Sequence, residues 1–274
     1  MSDPAPTLDE SVDHKLAKMS VEELLRDGNR HLVQGNPQLA GLYFNLALMK
    51  EPDNLPALYG QGEILRQRGD YVGALPTYEK ILALDADSPR ALLSLGEAHL
   101  YQGYYGKAAG YLERVLEQAP EQPQALSLLA MTWDGTGDTA KAEALYLRLV
   151  TIQPRSAAVH NNLGVNRLFQ GRYQEAIVSL RTAVNLDPDN KRTQNNLAMA
   201  YALNGEESQA LEIFRHSLGK AAAYNNMGYL YMKKGMFNDA EKALLKAIEA
   251  NPSYYPQAQK NLERLQAMRT SEGR

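Results

Sequence analysis

The chain has 274 residues, 44% apolar and 22% charged, with a net charge of −3 at neutral pH; it lacks the basic excess of a nucleic-acid binder. It contains no cysteine, which excludes disulfides, thiolate metal sites and cysteine nucleophiles. No apolar run approaches the roughly 18 residues that span a bilayer.

Residues 1–20 are polar, carry Pro4 and Pro6 and hold no apolar signal core, so a flexible segment without a secretory signal is expected there. Residues 13–20 either extend the first helix or fray. From Val21 the chain is self-similar. A glycine recurs at Gly35, Gly69, Gly103, Gly137, Gly171, Gly205 and Gly235, in five steps of 34 residues and one of 30. Five residues after each stands an alanine: Ala40, Ala74, Ala108, Ala142, Ala176, Ala210 and Ala240. Seven residues before each stands a small residue: Gly28, Gly62, Gly96, Ala130, Gly164, Ala198 and Gly228. A proline closes most repeats, at Pro52, Pro120, Pro154, Pro188 and Pro252.

Each position has a physical reason. The recurring glycine turns the chain between two helices through a left-handed conformation. The small residues sit where the helices cross, and the large residue four after the alanine (Phe44, Tyr78, Leu112, Tyr146, Leu180, Phe214, Leu244) fills the adjoining gap. The proline ends the second helix. Seven repeats follow: 21–54, 55–88, 89–122, 123–156, 157–190, 191–220 and 221–254. In the fourth, Gly135 should shorten the first helix by about a turn. The sixth lacks four residues, so a tighter turn is expected at Gly219-Lys220. Residues 255–268 read as a lone amphipathic helix with Ala258, Leu262 and Leu265 on one face, capping the apolar end of the array; 269–274 is a tail.

This pattern resembles the tetratricopeptide repeat (TPR) family. The resemblance implies an all-α fold: a TPR solenoid, a right-handed superhelix of helix-turn-helix repeats whose first helices line a concave groove for a protein partner. No catalytic constellation assembles from the residues, so the chain reads as no enzyme, with no cofactor and no metal. His31, His99 and His160 fall at packing positions, and the carboxylates scatter as surface charges with occasional helical pairs such as Glu22 with Arg26.

Repeat positions 5 and 6, groove-facing by the resemblance, read Asn161-Asn162, Asn195-Asn196 and Asn225-Asn226. Paired asparagines disfavour a helix. A primary amide both donates and accepts, so a row of them can hold an extended peptide backbone. Asn162, Asn196 and Asn226 resemble the asparagine ladder of the TPR domain of O-linked N-acetylglucosamine transferase; the competing reading is that the amides bond between neighbouring helices. Tyr59, Tyr101, Phe169 and Tyr229 are candidate aromatic anchors on the same face. The carboxylate clamp of chaperone-binding TPR domains is broken at Leu25, Gly60 and Ser94.

The Asn-Asn runs, the shortened link and the cap are similar to TadD-like proteins of tight-adherence (Flp) pilus machines. That resemblance implies a periplasmic, outer-membrane lipoprotein assisting secretin assembly, reaching the membrane only through a lipid anchor outside this sequence. The partner is then a secretin or another pilus component. A cytoplasmic adaptor or chaperone and the substrate-selecting part of a larger enzyme are the rival readings. Nucleic acid is not expected as a partner.

Overall fold

The computed structural model describes residues 16, 18–251 and 256–272. Among these every regular element is an α-helix: α1 (Val21–Val33), α2 (Pro37–Lys50), α3 (Leu55–Gln67), α4 (Tyr71–Leu84), α5 (Pro89–Tyr101), α6 (Tyr105–Gln118), α7 (Pro123–Thr136), α8 (Thr139–Ile152), α9 (Ala157–Phe169), α10 (Tyr173–Leu186), α11 (Lys191–Leu203), α12 (Glu207–Leu218), α13 (Lys220–Lys233), α14 (Phe237–Ala250) and α15 (Pro256–Glu272). They form two compact units, Met1–Thr136 and Gly137–Arg274.

The first unit holds α1–α7. Helix α1 starts sharply at a reciprocal cap. The Glu23 N–H donates to Ser20 Oγ (3.2 Å) and the Ser20 N–H donates to Glu23 Oε2 (2.8 Å), satisfying two amides that the helix leaves unpaired. The helix therefore does not run back through Met19 and Ser20. Residues 1–15 and 17, most of the expected N-terminal segment, lie outside the described residues. Helix α1 ends at Gly35, where φ is 75°. There the Gly35 N–H donates to Leu32 O (3.1 Å) and the Asn36 N–H to His31 O (2.8 Å), the double closure that a left-handed residue permits. The same pair of bonds recurs in this unit at Gly69 and Gly103.

Packing follows the small-large pairing. A Cβ on Gly62 would stand 2.7 Å from the Tyr78 ring, so any side chain there would push α3 and α4 apart. Clusters bridge successive repeats: Leu24, Ala40, Phe44 and Ala47 are closed by Ala57 and Ile64 of the next hairpin. Two expectations fail in this unit. Helix α7 runs through Gly135 to Thr136 without shortening; a Cβ on Gly135 would lie 2.4 Å from the Tyr105 ring, so this glycine makes room for an aromatic and does not break the helix. Arg26 is not paired with Glu22 among the described residues; it and Arg30 both flank Asp27, at 3.8 and 3.2 Å.

The second unit holds α8–α15. Glu143 of α8 accepts from Arg167 Nε of α9 (2.9 Å), from Arg172 and from Gln170. Burial works against the charge on Glu143, but these donors outweigh it and hold its carboxyl below the usual range. The missing residues of the sixth repeat leave Gly219 alone between α12 and α13. It caps both helices, with φ 86° and ψ 167°. The terminal helix buries Ala258 and Leu265, Leu265 packing on Met232, Ala240 and Leu244. Tyr255 and Pro252 lie outside the described residues. The helix continues past Met268 to Glu272 where a tail was expected. Arg269 explains this: its guanidinium donates to Glu241 Oε2 and to Asn238 Oδ1, both 2.8 Å, and fastens the added turn to α14.

Candidate functional site: an amide-lined helix face

In the second unit α9, α11 and α13 are the first helices of their hairpins, each beside the next. Residues spaced by three or four share one face of a helix, so Asn162, Val165 and Phe169 align on α9, Arg192, Asn196 and Met199 on α11, and Asn226, Tyr229 and Lys233 on α13.

The six asparagines divide into two sets. The Asn161 Oδ1 accepts from Asn196 Nδ2 across α9 and α11 (2.9 Å). The Asn225 Oδ1 accepts from Asn261 Nδ2 of α15 (2.9 Å). The Asn195 Oδ1 accepts from Ser217 Oγ of α12 (3.1 Å). Asn161 and Asn225 are buried, and a buried amide needs such partners. The first member of each pair thus ties helices together. The second members, Asn162, Asn196 and Asn226, are half-buried. Asn162 accepts from Asn161 Nδ2 (3.2 Å) and its own amide nitrogen has no partner among the described residues. Asn226 makes no side-chain bond within them. Asn196 belongs to both sets, since its nitrogen is engaged and its oxygen is free.

The aromatic candidates divide as well. Phe169 is 76% exposed and Tyr229 39%; both lie on the asparagine face, with Lys233 Nζ 5.9 Å from the Tyr229 ring centre. Tyr59 and Tyr101 belong to the first unit, where Tyr59 is half-buried and Tyr101 54% exposed. The Tyr59 hydroxyl bonds to Ser88, with the Arg90 guanidinium 4.6 Å from the ring; Tyr101 stacks on Tyr71 at 4.6 Å. Sequence reasoning missed Met199, 38% exposed, and Arg192, which is exposed. Their register was the available signal: Met199 stands at the repeat position of Tyr229.

The first unit carries a compact ion cluster. Arg66 donates to Glu63 twice, at 3.0 and 2.8 Å, and its other nitrogen is 3.6 Å from Glu97. Glu97 is buried; burial pushes its carboxyl up, against the pull of Arg66. Of the described histidines, His31, His99 and His160 have partners within the chain, while His216 is exposed. His99 is buried, stacks on Tyr111 at 5.6 Å and is held below its ordinary pKa by that burial. His31 stacks on Tyr43 at 5.4 Å. His160 Nε2 lies 2.9 Å from Pro154 O. Among the described residues no three His, Asp or Glu side chains stand together as metal ligands, and no helix is long and apolar enough to cross a membrane.

Comparison with known proteins places this geometry. Tetratricopeptide-repeat models match residues 62–103, 93–157, 169–205 and 221–254. The photosystem I assembly protein Ycf3 of Synechococcus sp. (strain CC9605) is 29% identical over 134 residues, spanning 40% of this chain and 78% of that protein. A crystal structure of a tetratricopeptide repeat protein from Parabacteroides merdae superposes with a TM-score of 0.68 over 90% of this chain and 98% of that one, at 18% identity, a likeness of fold. MamA matches over 58% of this chain and 95% of its own, with TM-score 0.52 and 26% identity. YrrB, described as a TPR protein with an unusual peptide-binding site, matches over 79% of this chain and 96% of its own at TM-score 0.51 and 18% identity. The repeat period, the left-handed turn glycines and these matches agree: the chain belongs to the tetratricopeptide repeat family and is a protein-interaction scaffold.

Proposed function

We propose that the chain is a non-catalytic scaffold that binds an extended peptide of a partner protein along the α9–α11–α13 face. The observation that carries this is the second set of asparagines. The Asn162 amide nitrogen and the whole Asn226 amide are left unbonded among the described residues, at half-buried positions, one on each flank of Asn196. An extended backbone offers one donor and one acceptor per residue, which is what a primary amide pairs with. The printed description of YrrB as peptide-binding and the assembly role in the name of Ycf3 support the same class of function.

The finer placement rests on sequence resemblance. By it the partner is a secretin or another component of a tight-adherence pilus machine, met at the periplasmic face of the outer membrane. A pull-down from detergent-solubilised cells tests it: retention of outer-membrane secretin supports the placement, and retention of soluble cytoplasmic proteins alone removes it.

The structure sharpens the test of the site. Asn162→Ala with Asn226→Ala should weaken partner binding about tenfold or more and leave thermal unfolding nearly unchanged. Asn161→Ala should instead cost about 1 kcal/mol of stability, by leaving Asn196 without its acceptor. Undiminished binding by the double variant would remove the peptide reading.

A further inference from the structure

The first helices of the second unit contain no carboxylate. No Asp or Glu occurs in Ala157–Phe169, in Lys191–Leu203 or in Lys220–Lys233. The acids of this unit lie on the second helices, on the loops and on α15. On the asparagine face, Arg192 stands one turn before Asn196 and Lys233 one turn after Tyr229. On α15, Asn261 bonds to Asn225, and Arg264 follows one turn on. All three cations are exposed, and none forms an ion pair among the described residues. The nearest acid on α15, Glu263, precedes Arg264 and so points about 100° round the helix from it. On the asparagine faces of α9, α11 and α13 stand Phe169, Met199 and Tyr229, all exposed.

Exposed apolar side chains on a helix layer cost solvation unless something covers them. Cations spaced along such a layer, with no acid among them, set a field that selects the cover by charge. We infer that the occupant of this face is an acidic, apolar extended segment of a partner protein: its backbone meets the asparagine amides, its apolar side chains cover Phe169, Met199 and Tyr229, and its Asp or Glu side chains meet Arg192, Lys233 and Arg264. The inference rests on the peptide reading above and adds the chemistry of the peptide. The ligands are side-chain carboxylates, so the segment lies within its chain as readily as at its end. Single-stranded nucleic acid shares the negative charge and the stacking of bases; three separated cations and a row of uncharged amides favour the peptide.

The test uses three fluorescein-labelled fourteen-residue peptides of one apolar frame, amidated at the C-terminus, carrying four Asp, four Asn or four Lys. Binding is read by anisotropy at low and moderate salt. The Asp peptide should bind about tenfold tighter than the Asn peptide, and the Lys peptide weakest. The advantage should shrink with salt. The double variant Arg192→Glu/Lys233→Glu, substituted at exposed positions and checked by circular dichroism, should invert the order. Asp, Asn and Lys peptides bound alike, with loss in Asn162→Ala/Asn226→Ala, would overturn the charge inference and leave the peptide site standing. No binding of any peptide would overturn both. A labelled oligothymidylate bound tighter than the Asp peptide would replace the peptide by nucleic acid.

Discussion

In the first unit Arg66 of α3 bonds to Glu63 of its own helix and faces Glu97 of α5, so that helix layer holds charges of both signs against one another. In the second unit the layer of α9, α11 and α13 supplies cations and amides but no acid. Its counter-charges stand elsewhere, as with Arg167, which turns away from the exposed face to Glu143 on α8. The two units share repeat, turn and core, yet the first helices of the first unit carry both acids and bases, while α9, α11 and α13 carry bases alone. Within one fold, the positions that packing does not claim decide what each unit offers a partner.

Breaking the second unit's internal pairing should have the largest effect. Glu143→Ala takes the carboxylate from Arg167, whose side chain is only 15% exposed, leaving it Ser179 Oγ and the more distant Glu175; it should cost about 2 kcal/mol, read as lost hydrogen-exchange protection in α8–α10. Because the carboxyl of Glu143 is held below its usual range, its contribution is present above the unfolded pKa. The gap between wild type and variant should close as pH falls through the lowered value. A gap that widened in acid would contradict the assigned pairing.

The charged layers should then respond unequally. Arg66→Ala leaves Glu63 and Glu97 facing one another and should lower stability by about 1–2 kcal/mol. Arg192→Ala, at the corresponding layer of the second unit, should stay within about 0.5 kcal/mol. Equal losses in chemical denaturation would mean that Arg192 has a partner within the chain and is not free for a ligand. The smallest effect belongs to Glu97→Gln. Glu97 is raised by burial, so its charged form opposes folding. The variant should melt slightly higher at neutral pH, and the advantage should vanish below the unfolded carboxylate range, about pH 4.

Much of the fold was legible because its constraints are local. A turn glycine and the small residue seven before it mark the same two structural events in every repeat, and Gly62 against Tyr78 shows why. What was not legible depended on neighbours distant in sequence. Gly135 reads as a helix breaker until the Tyr105 ring of the preceding helix is seen to occupy its side-chain space. The final turn of α15 owes its helicity to Glu241 and Asn238, roughly a repeat earlier. The asparagine pairs were visible as a site, but adjacent residues on a helix diverge by about 100°, so their division into helix ties and free amides needed the positions of Ser217 and Asn261. The carboxylate-free layer was written in the sequence too, as an absence, which a search for motifs does not weigh.

The single-residue joint at Gly219 has a consequence for mutational tolerance. A left-handed turn position accepts asparagine at modest cost, so the glycines that end the first helices of the hairpins have a fallback in the genetic code. Gly219 combines φ 86° with ψ 167°, a region that only glycine populates. It also closes two helices at once: its N–H donates to Arg215 O and its carbonyl accepts from the Ala223 N–H. No substitution keeps that geometry unstrained, and an inserted or deleted residue would rotate one flanking helix against the other. In a lineage of such chains the repeats can drift and the turns can trade residues, while this codon holds still.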